Sequence, residues 1–151
     1  MKIHKMIPYK WLVMIVVSMG TLMSTVDMGG VRVVLPNLEQ VFDTSPDVVV
    51  WVSLIWVLIG SSLMLSMARI VDVIGRKRLY IVGFSIFSIG LALCSISGSI
   101  IQLILFRLIQ AFGAAMTIAI EYAIVTASFP TGERGKALGI MGAVAGLGLL
   151  A

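Results

Sequence analysis

Cysteine, histidine and charge are all scarce in this chain. Of its 151 residues, one is cysteine, Cys94, and one is histidine, His4. A lone cysteine forms no internal disulfide, and with a single histidine it supplies no metal site. Cys94 lies inside an apolar run and reads as a small packing residue; His4 lies in a basic N-terminal tail and reads as solvated. No nucleophile–base constellation is visible, so the sequence points away from an enzyme and implies no cofactor and no metal. Charged residues make up 12% of the chain, about half the roughly 25% of soluble domains, while hydrophobic residues reach 60%. A soluble core of this size cannot hide so much apolar surface, so the bilayer has to act as solvent. The net charge of +4 does not indicate nucleic acid, because the basic residues sit in short turns rather than along a solvated face.

What is abundant is long apolar runs. They cover about residues 11–35, 48–71, 79–97 and 100–127, with a fifth from 137 to 151. A spanning helix needs ~20 residues, so the fifth run is a partial span. The expected fold class is all-α: a basic tail over 1–10, then a polytopic transmembrane bundle over 11–151. A secretory signal peptide is a second reading of the basic tail and first run. The length of that run, and the spans that follow, argue against it. Nine basic residues (Lys2, Lys5, Lys10, Arg69, Arg76, Lys77, Arg78, Arg134 and Lys136) fall on one side, and the opposite polar segment carries only acids. The positive-inside rule therefore places the N-terminus in the cytoplasm of a multi-pass protein of the plasma or inner membrane.

Arg69 counted with the turn that follows it, four charges lie within the spans: Asp27, Arg32, Arg107 and Glu121. Charge inside a span is expensive and points to function. At 1.5 Å per residue, Asp27 lies roughly 6 Å and Arg107 roughly 10 Å outward of the midpoints of their spans. The two are expected to pair across a helix interface, and a proton arriving on Asp27 would break the pair. Arg32 is about 140° around a regular helix from Asp27. It is expected to point elsewhere and snorkel outward, unless Gly29-Gly30 loosens the helix. A purely structural ion pair is the plainer reading of Asp27. Glu121, about 21 Å nearer the cytoplasm than Arg107, either faces a cavity, binding a proton or cation, or reaches the inner interface. The glycines Gly60, Gly83, Gly90, Gly139, Gly142, Gly146 and Gly148 read as helix-packing positions.

The charged island Asp72-Val-Ile-Gly75-Arg76-Lys77-Arg78 marks a tight turn between two spans. With the preceding Ala68 to Val71 it resembles the turn between helices two and three of the major facilitator superfamily. Arg107-Leu-Ile-Gln110-Ala-Phe-Gly113-Ala-Ala resembles the helix-four signature, and Asp27 to Pro36 the first-helix motif of the fourteen-helix drug:proton antiporter branch. Trp51-Val-Ser53 and the segment from Phe129-Pro130 to Gly139 also fit that branch. The resemblance implies the first four spans and part of a fifth of a larger transporter. It implies that Asp72, Gly75, Arg76 and Lys77 form a conformational latch between two bundles, and that Arg107 and Asp27 serve proton coupling or substrate binding.

Departures are specific. Arg32 stands where the motif has asparagine, which weakens the case for cationic drugs and favours an anionic or neutral substrate. An acid near Ala127, the usual partner of the turn arginine, is missing, which leaves Glu133 as a candidate partner for Arg76. The expectation is an N-terminal fragment of a secondary transporter that exports small amphipathic or drug-like molecules and is driven by a proton gradient. Its partners would be the lipid bilayer, a small-molecule substrate and a missing C-terminal bundle of the same chain. The alternatives are a small membrane protein acting by interaction, a non-functional remnant, or a major facilitator transporter of another solute class.

Overall fold

The structure is a computed structural model and describes residues 9–150. Lys2, His4 and Lys5, and the side chain of Asp72, lie outside the described residues. Five α-helices follow one another: α1 (Tyr9–Val41), α2 (Pro46–Ile74), α3 (Arg76–Ser95), α4 (Ile100–Ser128) and α5 (Arg134–Leu150). A single turn of 3₁₀ helix, Thr131–Glu133, precedes α5. The first four helices are long and apolar enough to cross a membrane.

Helix boundaries follow local chemistry. Pro46 occupies the start of α2, where its missing N–H breaks no hydrogen bond, and Asp47 lies in the first turn. The α2–α3 connection is the single residue Gly75, with φ at 89°, a conformation that favours glycine. Its N–H closes the last turn of α2 on the Val71 carbonyl at 2.9 Å. The α3–α4 turn is capped reciprocally. Ser99 Oγ accepts from the Gln102 N–H, and Gln102 Oε1 accepts from the Gly98 N–H. One boundary differs from the sequence expectation: α1 does not stop before Pro36 but runs through it to Val41. Gly29-Gly30 does not interrupt it either.

The helix at the centre is α4. Its largest interface is with α3, the next with α2. The α3–α4 contact is close because glycines line it. A Cβ on Gly90 would lie 2.6 Å from the Gln110 Cα, and one on Gly113 would meet the Phe87 backbone. Gly83 faces Met116 and Thr117 in the same way. Gly148 brings α5 onto Thr25 and Leu22 of α1. Gly60, Gly139, Gly142 and Gly146, by contrast, meet nothing within 4 Å among the described residues, so the packing expected of them is not made here. Two apolar clusters fill the interior. Met14, Val17, Val125, Phe129, Ala137 and Met141 join α1, α4 and α5. Met67, Val71, Leu79, Met116 and Ile120 join α2, α3 and α4. A row of α1 residues (Leu12, Ile15, Met19, Leu22 and Val26) is left exposed, as a face toward lipid or further helices would be.

Candidate functional site

The charged pair of the interior is Asp27 and Arg107. Arg107 Nη1 donates to Asp27 Oδ2 at 2.7 Å, and the two side chains are only 8% and 7% exposed. Helical rise places these residues at similar depth, and α1 and α4 bring their side chains into contact. Beneath the guanidinium, Gln110 is wholly buried, with its Oε1 facing the Cys94 Sγ at 3.8 Å. Arg107 Nε and Gln110 Nε2 are buried without an acceptor among the described residues. Gly113, one turn further along α4, has no side chain because the α3 backbone fills that space.

Arg32 is exposed, in keeping with the snorkelling reading. It does not, however, point away from the pair. It borders a cavity of about 110 Å³ whose wall also includes Asp27 and Arg107. The helical offset separates the two Cα directions, but a long, flexible side chain and the gap between α1 and α2 bring both residues to one cavity.

Glu121 does not reach the inner interface. It is 2% exposed and lies within the bundle. Thr21 of α1 donates to its Oε2 at 2.8 Å. Tyr80 of α3 approaches the same spot and donates to the Val16 carbonyl at 3.3 Å. Gly20 makes room for both: a Cβ there would meet the Tyr80 hydroxyl and come within 3.0 Å of Glu121 Oε1. Sequence reasoning missed Thr21 and Tyr80. The signal for Thr21 was the ladder of small hydroxyl residues Ser18, Thr21, Ser24 and Thr25 on an otherwise apolar helix.

At the α2–α3 turn, Gly75, Arg76 and Lys77 are exposed. Arg76 does not pair with Glu133. Its Nη1 donates to the Ala123 carbonyl near the end of α4 at 3.3 Å. Glu133 is taken by Lys10, at 2.5 Å. Around that pair, the Trp11 and Phe129 rings meet edge to face with centroids 5.8 Å apart, and Lys136 lies over Trp11. The start of α1 is thus tied to the α4–α5 connection, and the acid expected for Arg76 is occupied.

A bundle of long apolar helices with an ion pair buried in its interior and a charged one-residue turn between two of them fits one class, the polytopic membrane transporters. The chain belongs to the Major Facilitator Superfamily, whose family model matches residues 17–151. It is 39% identical over 139 residues to the riboflavin transporter RibZ of Clostridioides difficile, covering 92% of this chain and 30% of that protein. It is 33% identical over 138 residues to the multidrug resistance protein Stp of Mycobacterium tuberculosis, covering 91% of this chain and 26% of that one. Multidrug resistance protein 3 of Bacillus subtilis is 36% identical over 129 residues, 85% of this chain and 25% of that protein. The chain therefore spans less than a third of the length of these relatives. Members of this family are transporters rather than enzymes, embedded in the bilayer and acting on small molecules.

Proposed function

We propose that this chain forms the leading helices of a proton-coupled exporter of small amphipathic molecules, with its N-terminus in the cytoplasm. The observation that carries the reading is the buried Asp27–Arg107 pair. A carboxylate and a guanidinium out of water stabilise each other, and removing the charge of one strands the other. A proton on Asp27 neutralises the carboxylate and frees Arg107, so protonation and the packing of α1 against α4 are linked. A conformational equilibrium biased in this way lets proton entry drive solute exit. The names of two multidrug resistance proteins among the relatives support export, and that of a riboflavin transporter supports a flat, polar-edged solute.

In this reading Gly75, Arg76 and Lys77, with Asp72, form the latch against a second bundle. Arg76 is fastened to α4 within its own bundle, which leaves Lys77 and Arg78 exposed for the partner half. The test is Asp27→Asn in the full-length transporter, reconstituted in vesicles with an imposed pH gradient. Gradient-driven efflux is expected to vanish while the protein still inserts. Normal efflux at matched protein content would refute the coupling.

A further inference from the structure

The space between α1, α2 and α4 has a distinctive balance of charge. Asp27, Arg32, Ser53, Trp56 and Arg107 border its outer part, of about 110 Å³. Across the shared residues Met28, Trp56 and Val57 it adjoins a second space of about 280 Å³. Gly60, Ala111, Ala114 and Ala115 wall that second part. Such small side chains leave a flat apolar surface. The whole is a slot with a flat, apolar body and a charged end.

At the charged end, two guanidiniums face one carboxylate. That carboxylate is already held by Arg107. Arg32 makes no ion pair with any described residue, and Trp56 Nε1 and Arg107 Nε are buried without acceptors among them. The surplus is of donors and of positive charge. Arg32 and Arg107 border one space, so their like charges repel, and a buried donor without an acceptor is itself unfavourable. A ligand that brings acceptors corrects both deficits, whereas a cation adds to one and leaves the other.

We propose that this slot holds the transported molecule, that it selects planar amphipathic compounds whose polar edge is anionic or rich in hydrogen-bond acceptors, and that Arg32 excludes lipophilic cations. The proposal rests on the transporter reading but not on proton coupling.

The test uses the full-length transporter in proteoliposomes with three planar probes: anionic fluorescein, neutral riboflavin and cationic ethidium. Fluorescein and riboflavin are expected to cross at least about tenfold faster than ethidium, the scale of one charge-assisted interaction. Arg32→Asn should erase most of that preference, and Arg32→Lys should keep it. Gly60→Phe, at a position with open space around it among the described residues, should fill the slot and slow all acceptor probes. Equal ethidium transport by the parent, an unchanged preference in Arg32→Asn, or unchanged fluxes in Gly60→Phe would each overturn the proposal. Running every flux with and without a pH gradient separates the two readings. Acceptor preference without gradient dependence sinks the coupling alone, and gradient-driven ethidium export sinks the slot assignment alone.

Discussion

Asp27 and Arg107 are eighty positions apart in sequence, and their pairing was legible because charge in an apolar helix needs a partner at its own depth. The partners of Glu121 and Arg76 were not legible. Both use groups that carry no charge signal, a threonine hydroxyl and a backbone carbonyl, and only the packed bundle brings these near. The Asp27–Arg107 pair makes a prediction at this scale. Arg107→Ala should destabilise the protein by about 3–5 kcal/mol, because it leaves a buried carboxylate alone. Asp27→Asn with Arg107→Gln should cost much less than the sum of the single changes. Thermal unfolding of the four variants in one detergent checks this, and additive losses would show that the two side chains do not support each other. Glu121 gives a second prediction. Thr21→Val removes its one described hydrogen-bond donor and should lower stability by about 1–3 kcal/mol, whereas Thr21→Ser should not.

Among the elements, the α3–α4 pair sets the geometry of the site. Gly83 and Gly90 let α3 approach until its backbone touches α4, and that approach fixes the side of α4 on which Arg107 emerges. Gly90→Val would place its first branch against the Gln110 backbone. Backbone yields less readily than a flexible side chain, so a loss of about 2 kcal/mol or more is expected. Gly60→Val, with open space around it among the described residues, should cost far less. Comparing melting temperatures of the two variants tests whether contact, rather than glycine content, is what matters. Sequence did not separate these positions, since spacing alone gives all of them the same small-residue pattern. It also ended α1 too early. Pro36 is a breaker in most helix interiors, yet here the helix continues beyond it for another turn.

For the whole molecule, the all-α bundle of long apolar helices was legible because the bilayer imposes it. The orientation that the positions of the basic residues imply is testable. In the full-length transporter with all its cysteines, Cys94 included, replaced by alanine, a cysteine placed at Asp43 should react with an impermeant maleimide on intact cells. One at Gly132 should react only after the cells are opened. The reverse pattern would overturn the cytoplasmic placement of the N-terminus. The walls of the adjoining cavities were less legible, because Arg32, Trp56 and the alanines of α4 come together only when three helices have packed.

The contact of α1 with α5 has a consequence for synthesis. The first helix packs more extensively against the last described one than against its neighbour α2, and its tie at Lys10 waits for Glu133. While the ribosome is still making α2 and α3, α1 sits in the bilayer with Asp27 lacking its counter-ion. Anchoring of the nascent chain should therefore tighten in two steps, once when Arg107 emerges and again when α5 does. Ribosome-stalled chains of increasing length would show the steps as falls in alkaline extractability.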